Sequence, residues 1–251
     1  MFTPRFSYAL LFGLALFFMA TAQTFAGLIV NEQSVWPSAP IIETFERTDA
    51  NINSERDMRF NRDLTQTFQV ASPFQLDKIF IDYEEGLEGK EFTIRLFTVA
   101  DVNAADPIID PDDPTFTGTV LFSGLTHTTT AGILMGNPPS GNNNVGAAME
   151  FDLTGADEVF LAANTGTEGY AFQILRTGLG SDIDDGAERA FKWHYNSADL
   201  NFYPTGRAYA VGGGPSALDD WLMAIKAVPE PATFALAAIA AAAALLTRRR
   251  G

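Results

Sequence analysis

"FTIRLFTVA", residues 92–100, alternates without a break. Phe92, Ile94, Leu96 and Thr98 fall on one side of an extended chain, and Thr93, Arg95, Phe97 and Val99 on the other. A period of two built from β-branched and aromatic residues is the pattern of a strand, because successive side chains point to opposite faces of a sheet. The preceding stretches repeat it. "LTQTFQV" (64–70) sets Leu64, Gln66, Phe68 and Val70 together. "FQLDKIFIDY" (74–83) begins in the same way, but its apolar set changes side near Lys78. That change predicts a bulge, or burial on both faces.

"TVLFSGL", "AMEFDLT", "EVFLAAN", "YAFQILRT", "FKWHY", "RAYAV" and "WLMAIKA" follow, which makes ten such segments between residues 64 and 227. Most run for roughly five to eight residues between Gly, Asn, Asp or Pro. No long amphipathic helix is visible. The expectation is one all-β domain over 64–227, an antiparallel β-sandwich. Strand period does not separate a jelly roll from an immunoglobulin-like sandwich. Length favours the jelly-roll-like form, since an immunoglobulin domain needs only about 100 residues. Residues 27–63 are charged and poorly periodic, and read as a lead-in that packs locally or stays partly disordered.

The ends differ from this body. Residues 1–26 hold one charge, Arg5, then the apolar run "YALLFGLALFFMA" and the small residues Ala20, Ala22 and Ala26. This is the composition of a secretory signal peptide, with cleavage after Ala22 or Ala26 and the boundary set at Ala26. The chain has 16 Lys and Arg and 31 Asp and Glu. Setting aside Arg5, Arg248, Arg249, Arg250 and Glu230 leaves 12 and 30 in residues 27–228, a net charge of −18. Such a surface repels phosphate backbones, so no nucleic-acid partner is expected. The chain has no cysteine. Disulfides, cysteine nucleophiles, thiolate zinc sites and iron–sulfur clusters are thereby excluded.

The body shows little chemistry. Its two histidines, His127 and His194, sit in or beside predicted strands, and no G-x-S-x-G elbow accompanies them. "GLGSDIDDG" (178–186) opens as G-x-G but has Ile183 where a third glycine belongs, and lacks a strand–helix setting. Thirty acids guarantee some pair at glycosidase separation by chance, so such a pair is no signal. The expectation is a protein that is not an enzyme.

Two binding sites are candidates. No cofactor is expected; the one candidate is a structural calcium ion, for which the acidic loop "DVNAADPIIDPDD" offers Asp101, Asn103, Asp106, Asp110 and Asp112, with Asp113 beside them, as oxygen ligands. It misses the EF-hand template, and a solvated loop is the plainer reading. "SDIDDGAE" (181–188) is a second acidic cluster. Trp193, Tyr195, Phe202, Tyr203, Tyr209 and Trp221 crowd the end of the domain. Phe191, Trp193 and Tyr195 share one strand face, which fits a core better than a sugar platform. "YNSADLNFYPTGRAY" (195–209) reads as a hairpin whose turn presents Tyr203 and Arg207, the candidate glycan contacts.

The tail is the most informative stretch. Val228-Pro229-Glu230-Pro231 ends the domain, because proline continues neither a strand interior nor a helix. Ala232–Thr247 is uncharged and alanine-rich, and Arg248, Arg249 and Arg250 follow it. Sixteen helical residues rise about 24 Å. That is short of a hydrocarbon core of about 30 Å, a gap that flanking residues or bilayer thinning closes. The arginines then stay on the cytoplasmic side and the body outside.

A Pro-Glu-Pro motif at 229–231, an apolar segment at 232–247 and an arginine cluster at 248–250 resemble the PEP-CTERM proteins. The resemblance covers about 24 residues and says nothing of the body's activity. It implies an exosortase as processing partner, with Pro229, Glu230 and Pro231 as the recognised residues of a substrate. It also implies transient residence in the inner membrane of a Gram-negative bacterium, then the cell surface or an exopolysaccharide matrix. The expected role is structural or adhesive. The alternative is a carbohydrate-binding β-sandwich, supported by calcium, whose partner is an extracellular polysaccharide.

Overall fold

The computed structural model describes residues 28–47, 54–57, 63–84, 87–104, 111–124, 126–130, 147–153, 159–177, 190–196, 203–210, 214–215 and 220–228. The predicted signal peptide and the tail from Pro229 lie outside them. The described residues hold no helix and sixteen strands. These are β1 (Ile29–Ser34), β2 (Ile42–Glu43), β3 (Ser54–Asp57), β4 (Leu64–Phe68), β5 (Phe74–Glu84), β6 (Glu91–Val99), β7 (Val120–Ser123) and β8 (His127–Thr128). They continue as β9 (Ala147–Asp152), β10 (Phe160–Leu161), β11 (Gly169–Thr177), β12 (Lys192–Asn196), β13 (Ala208–Ala210), β14 (Gly214–Pro215), β15 (Asp220–Trp221) and β16 (Met223–Ala227).

Two antiparallel sheets result. The first runs β1-β9-β5-β12-β15, with β10 and β16 on β5, β2 on β16 and β3 on β12. The second runs β14-β13-β4-β11-β6-β7, with β8 on β6. Their inner faces share one apolar core. Ile79, Ile81, Tyr83, Met149, Phe151, Trp193, Met223 and Ile225 come from the first sheet, and Leu64, Phe68, Phe92, Ile94, Leu96, Phe172 and Ile174 from the second. Rings bridge the layers. Phe172 of the second sheet meets Phe151 at 5.4 Å and Trp193 at 6.1 Å between centroids, both from the first. Such pairs add about 0.5–1.5 kcal/mol each beyond area burial.

The alternation of β6 maps onto this layering. Phe92, Ile94 and Leu96 enter the shared core. Phe97 and Val99 face the other way, into a second cluster with Val102, Ala171 and Tyr209. In β5 the apolar side changes between Leu76 and Ile79. Lys226 opposes Lys78 while Ala227 opposes Leu76, so Asp77 is the extra residue of a bulge. Its carbonyl accepts from the Leu153 amide at 2.8 Å. Burial on both faces occurs as well, since Phe80 and Asp82 are buried on the side away from the shared core.

Within the segment 27–63, the described residues form three strands. β1 pairs with β9, β2 with β16 and β3 with β12, so these three strands join the first sheet. Val30 and Ile42 pack against the shared core, and Trp36 packs against Phe45 and Leu222. One consequence concerns the end of the body. β16 lies between β2 and β5, with Ile225 opposite both Ile42 and Ile79. The last strand is therefore interior to its sheet, not an edge.

Candidate functional site

The body ends at a defined point. After β16, the Val228 amide donates to the Gln75 carbonyl at 2.9 Å. Pro229, the next residue, has no amide hydrogen to give and so cannot donate to the ladder. The sorting residues Pro229, Glu230 and Pro231 and the cluster Arg248, Arg249 and Arg250 lie outside the described residues. Their attachment point does not.

That attachment point is now matched to a known signal. Residues 227–250 match a family model described as the PEP-CTERM protein-sorting motif. The tail carries a PEP-CTERM motif. The match begins at Ala227, the last residue of β16, so signal and folded body abut with no spacer. The motif supports an exported protein sorted by an exosortase. No curated protein and no solved structure matches the chain.

Near the same end of the body lies an open groove of about 680 Å³. Ile41 and Ile42 of the β2 region, Val70 and Ser72 before β5, Asn164 and Tyr203 are among its walls. Asn164 is pinned there: its Oδ1 accepts from the Val70 amide, and its own amide donates to the Val70 carbonyl. Tyr203 is held at both ends. Its amide donates to Asp220 Oδ2 at 3.1 Å and its hydroxyl to the Gln69 carbonyl at 3.0 Å. Burial pushes its phenol above the usual tyrosine range.

The predicted 195–209 hairpin does not form. β12 belongs to the first sheet and β13 to the second, so the chain crosses between layers. Tyr203 and Arg207 flank a turn at Pro204 and Thr205 just before β13, and both are half-buried there rather than displayed at the surface. Tyr203 still lines the groove; Arg207 is not among the lining residues. The Arg207 main chain exchanges bonds with Thr67, and its Nε is buried with no hydrogen-bond partner. Of the other aromatics, Trp193, Tyr209 and Trp221 are buried and Tyr195 packs against the core.

The acidic loop is divided in its partners. The Asp101 carboxylate accepts from the Asn103 amide, and Asn103 Nδ2 reaches the Pro204 carbonyl. Asp112 pairs with Arg95 at 2.8 Å. Asp113 accepts from the hydroxyl and amide of Thr115, which hold its carboxyl below the usual range. Asp106, Asp110 and the 181–188 cluster lie outside the described residues. Among the described residues, no three acidic, histidine or cysteine side chains are gathered to hold a metal ion.

The histidines have structural surroundings. His194 is 1% exposed, and its Nδ1 is hydrogen-bonded to Asp82 Oδ1, while Arg47 Nε donates to Asp82 Oδ2. Arg47 also stacks over the Trp36 ring at 5.3 Å. His127 Nε2 lies 2.5 Å from Glu32 Oε1, and its ring meets Phe92 edge-on at 5.2 Å. Sequence reasoning missed Ile41, Ser72 and Asn164 as groove residues. They come from separate stretches, and no local pattern marks them as neighbours.

Proposed function

We propose that the protein is exported, held at the inner membrane by its tail, processed by an exosortase at Pro229-Glu230-Pro231, and delivered to the cell surface or an extracellular matrix. There its body, a jelly-roll-like sandwich, serves a structural or adhesive role. The observation that carries this reading is the sorting motif joined directly to a closed interior strand. Removal of everything beyond Val228 takes no described strand from the body. The burial of Trp193, Tyr209 and Trp221 favours a structural role over a sugar platform.

The test is intact mass and location of the mature protein in a host with the exosortase, with Pro229, Glu230 and Pro231 replaced by alanine in a parallel strain. The expected result is a native mass lacking both ends, and a variant that keeps its tail and stays in the membrane. Identical mass and location in the two strains sinks the reading.

A second reading rests on the groove. Tyr203, Asn164 and Thr205 offer an aromatic face and polar groups in one concave surface, the composition of a small-ligand or glycan site. Ser72 is an exposed wall residue. Ser72→Trp fills the groove from its rim, so it should abolish any polysaccharide retention shown by the wild type. Equal retention by both removes the groove from consideration.

A further inference from the structure

Five large apolar side chains stand well exposed among the described residues: Ile29, Val35, Ile41, Val120 and Phe160. Val120, in β7, belongs to the second sheet. The other four surround the outer face of the first. Ile29 opposes Asp152, Asp152 opposes Lys78, and Lys78 opposes Lys226. Ile41 lies beside this row, its amide donating to the Ile225 carbonyl. Val35 lines a shallow pocket of about 410 Å³ with Lys78, Phe80 and Lys226. Phe160, 65% exposed, opposes Gln75. The chain neighbours Val30, Ile42, Leu161 and Ile225 pack in the shared core, so alternation turns Ile29, Ile41, Phe160 and Lys226 outward.

This face coincides with the exit of the chain. Gln75 opposes Phe160 on one side, and its carbonyl accepts from Val228 on the other. Phe160 and Val228 are thus two strand spacings apart, about 10 Å. Only Pro229, Glu230 and Pro231 separate Val228 from the uncharged run Ala232–Thr247. The four residue steps from Val228 to Ala232 span at most about 14 Å. Whatever surface receives that run therefore begins within about 24 Å of Phe160. Charge does not carry the fit, since Lys78 is ion-paired with Glu150 and Asp152; exposed apolar side chains beside an anchored tail do, because such groups insert at the headgroup boundary.

We propose that this face, with Ile29, Val35, Ile41 and Phe160 around Lys78 and Lys226, rests on the bilayer surface while the tail is anchored. The proposal rests on the anchored-tail reading above. It fixes the orientation of the body before processing: first sheet toward the lipid, second sheet toward the periplasm.

The chain has no cysteine, so single replacements label cleanly. Full-length Phe160→Cys, Ile41→Cys and Val120→Cys would each carry an environment-sensitive fluorophore and be reconstituted into phosphatidylethanolamine–phosphatidylglycerol vesicles. Some vesicles would contain acyl-chain nitroxide quenchers. Flotation is read on the same samples, and urea unfolding checks that each variant folds. The expected result is blue-shifted, strongly quenched emission at 160 and 41, and aqueous, unquenched emission at 120. Chains that fail to float overturn the anchored tail and this proposal together. Chains that float with all three probes aqueous overturn the docking face alone. A blue shift without lipid quenching, lost on dilution to one chain per vesicle, means that a second copy covers the face and also overturns it.

Discussion

The Val228 amide and the Gln75 carbonyl, 2.9 Å apart, form the last rung of the body's hydrogen-bond ladder. The next residue is Pro229, which has no amide hydrogen to donate to the sheet. A chain ending at Val228 should therefore keep its urea midpoint and near-ultraviolet dichroism. A chain ending at Leu222 loses β16 and, with it, the buried Met223, Ala224 and Ile225. Buried side chains of the Met and Ile kind are worth about 1.5–3 kcal/mol each, so this second chain should not fold. A large loss of stability in the first would mean that the tail packs on the body.

Asp82 is buried completely and receives bonds from both His194 Nδ1 and Arg47 Nε. It lies near the C-terminal end of β5, on the face away from the shared core. Asp82→Ala removes the acceptor from two polar groups that burial has already cost their water. The expected loss is about 3–5 kcal/mol, the range for breaking a buried charged pair by deleting one member. Urea unfolding measures it. A loss below about 1 kcal/mol, the range of surface ion pairs, would place this cluster in solvent.

These contacts mark where the sequence was readable. The bulge at Asp77 was written in β5 as a change of apolar side at Lys78, because burial forces alternation and a bulge is the cheapest way to shift its phase. β6 was legible for the same reason, and each of its faces has a buried partner. β1, β2 and β3 were not. They are short, and their partners lie up to about 180 residues away, so nothing local reports the pairing. The 195–209 segment misled because continuity in sequence does not say which sheet a strand joins. The groove was invisible for a related reason: Ile41, Ser72, Asn164 and Tyr203 meet only when both sheets are assembled.

Gly206 supports that groove from behind. Its amide donates to the Tyr203 carbonyl at 3.1 Å, closing the turn that sets the tyrosine. A Cβ at this position would lie 2.1 Å from the Thr67 carbonyl oxygen and 2.7 Å from the Tyr203 ring. The nearest atom belongs to the backbone of a central strand, which cannot retreat cheaply. Gly206→Ala should therefore cost about 1–3 kcal/mol, as overpacking does, and should shift the Tyr203 wall. Thermal or urea unfolding reads the first effect, and a loss of any groove ligand reads the second. Unchanged stability would show that the turn relaxes without strain.

Alkaline pH is the condition under which this fold should fail. Burial raises the phenols of Tyr83, Tyr203 and Tyr209, and the nearby Glu32 and Asp82 raise Tyr83 further. Tyr209, whose hydroxyl donates to the Val102 and Ala104 carbonyls, is pushed up to about 12. Lys78 is raised above its usual 10.5 chiefly by its hydrogen bond to Glu150. For all four, the folded state binds its proton more tightly than the unfolded chain does. The stability this contributes is fully present below the ordinary values of 10.0 for tyrosine and 10.5 for lysine. It drains away as pH rises through the folded values, because the unfolded state then releases protons first. Stepwise titration of tyrosinate absorbance alongside circular dichroism gives the check. Part of the tyrosine signal should lag past pH 10.0 and appear together with cooperative unfolding. A single ordinary titration step in a chain that stays folded would mean that these three phenols are open to water.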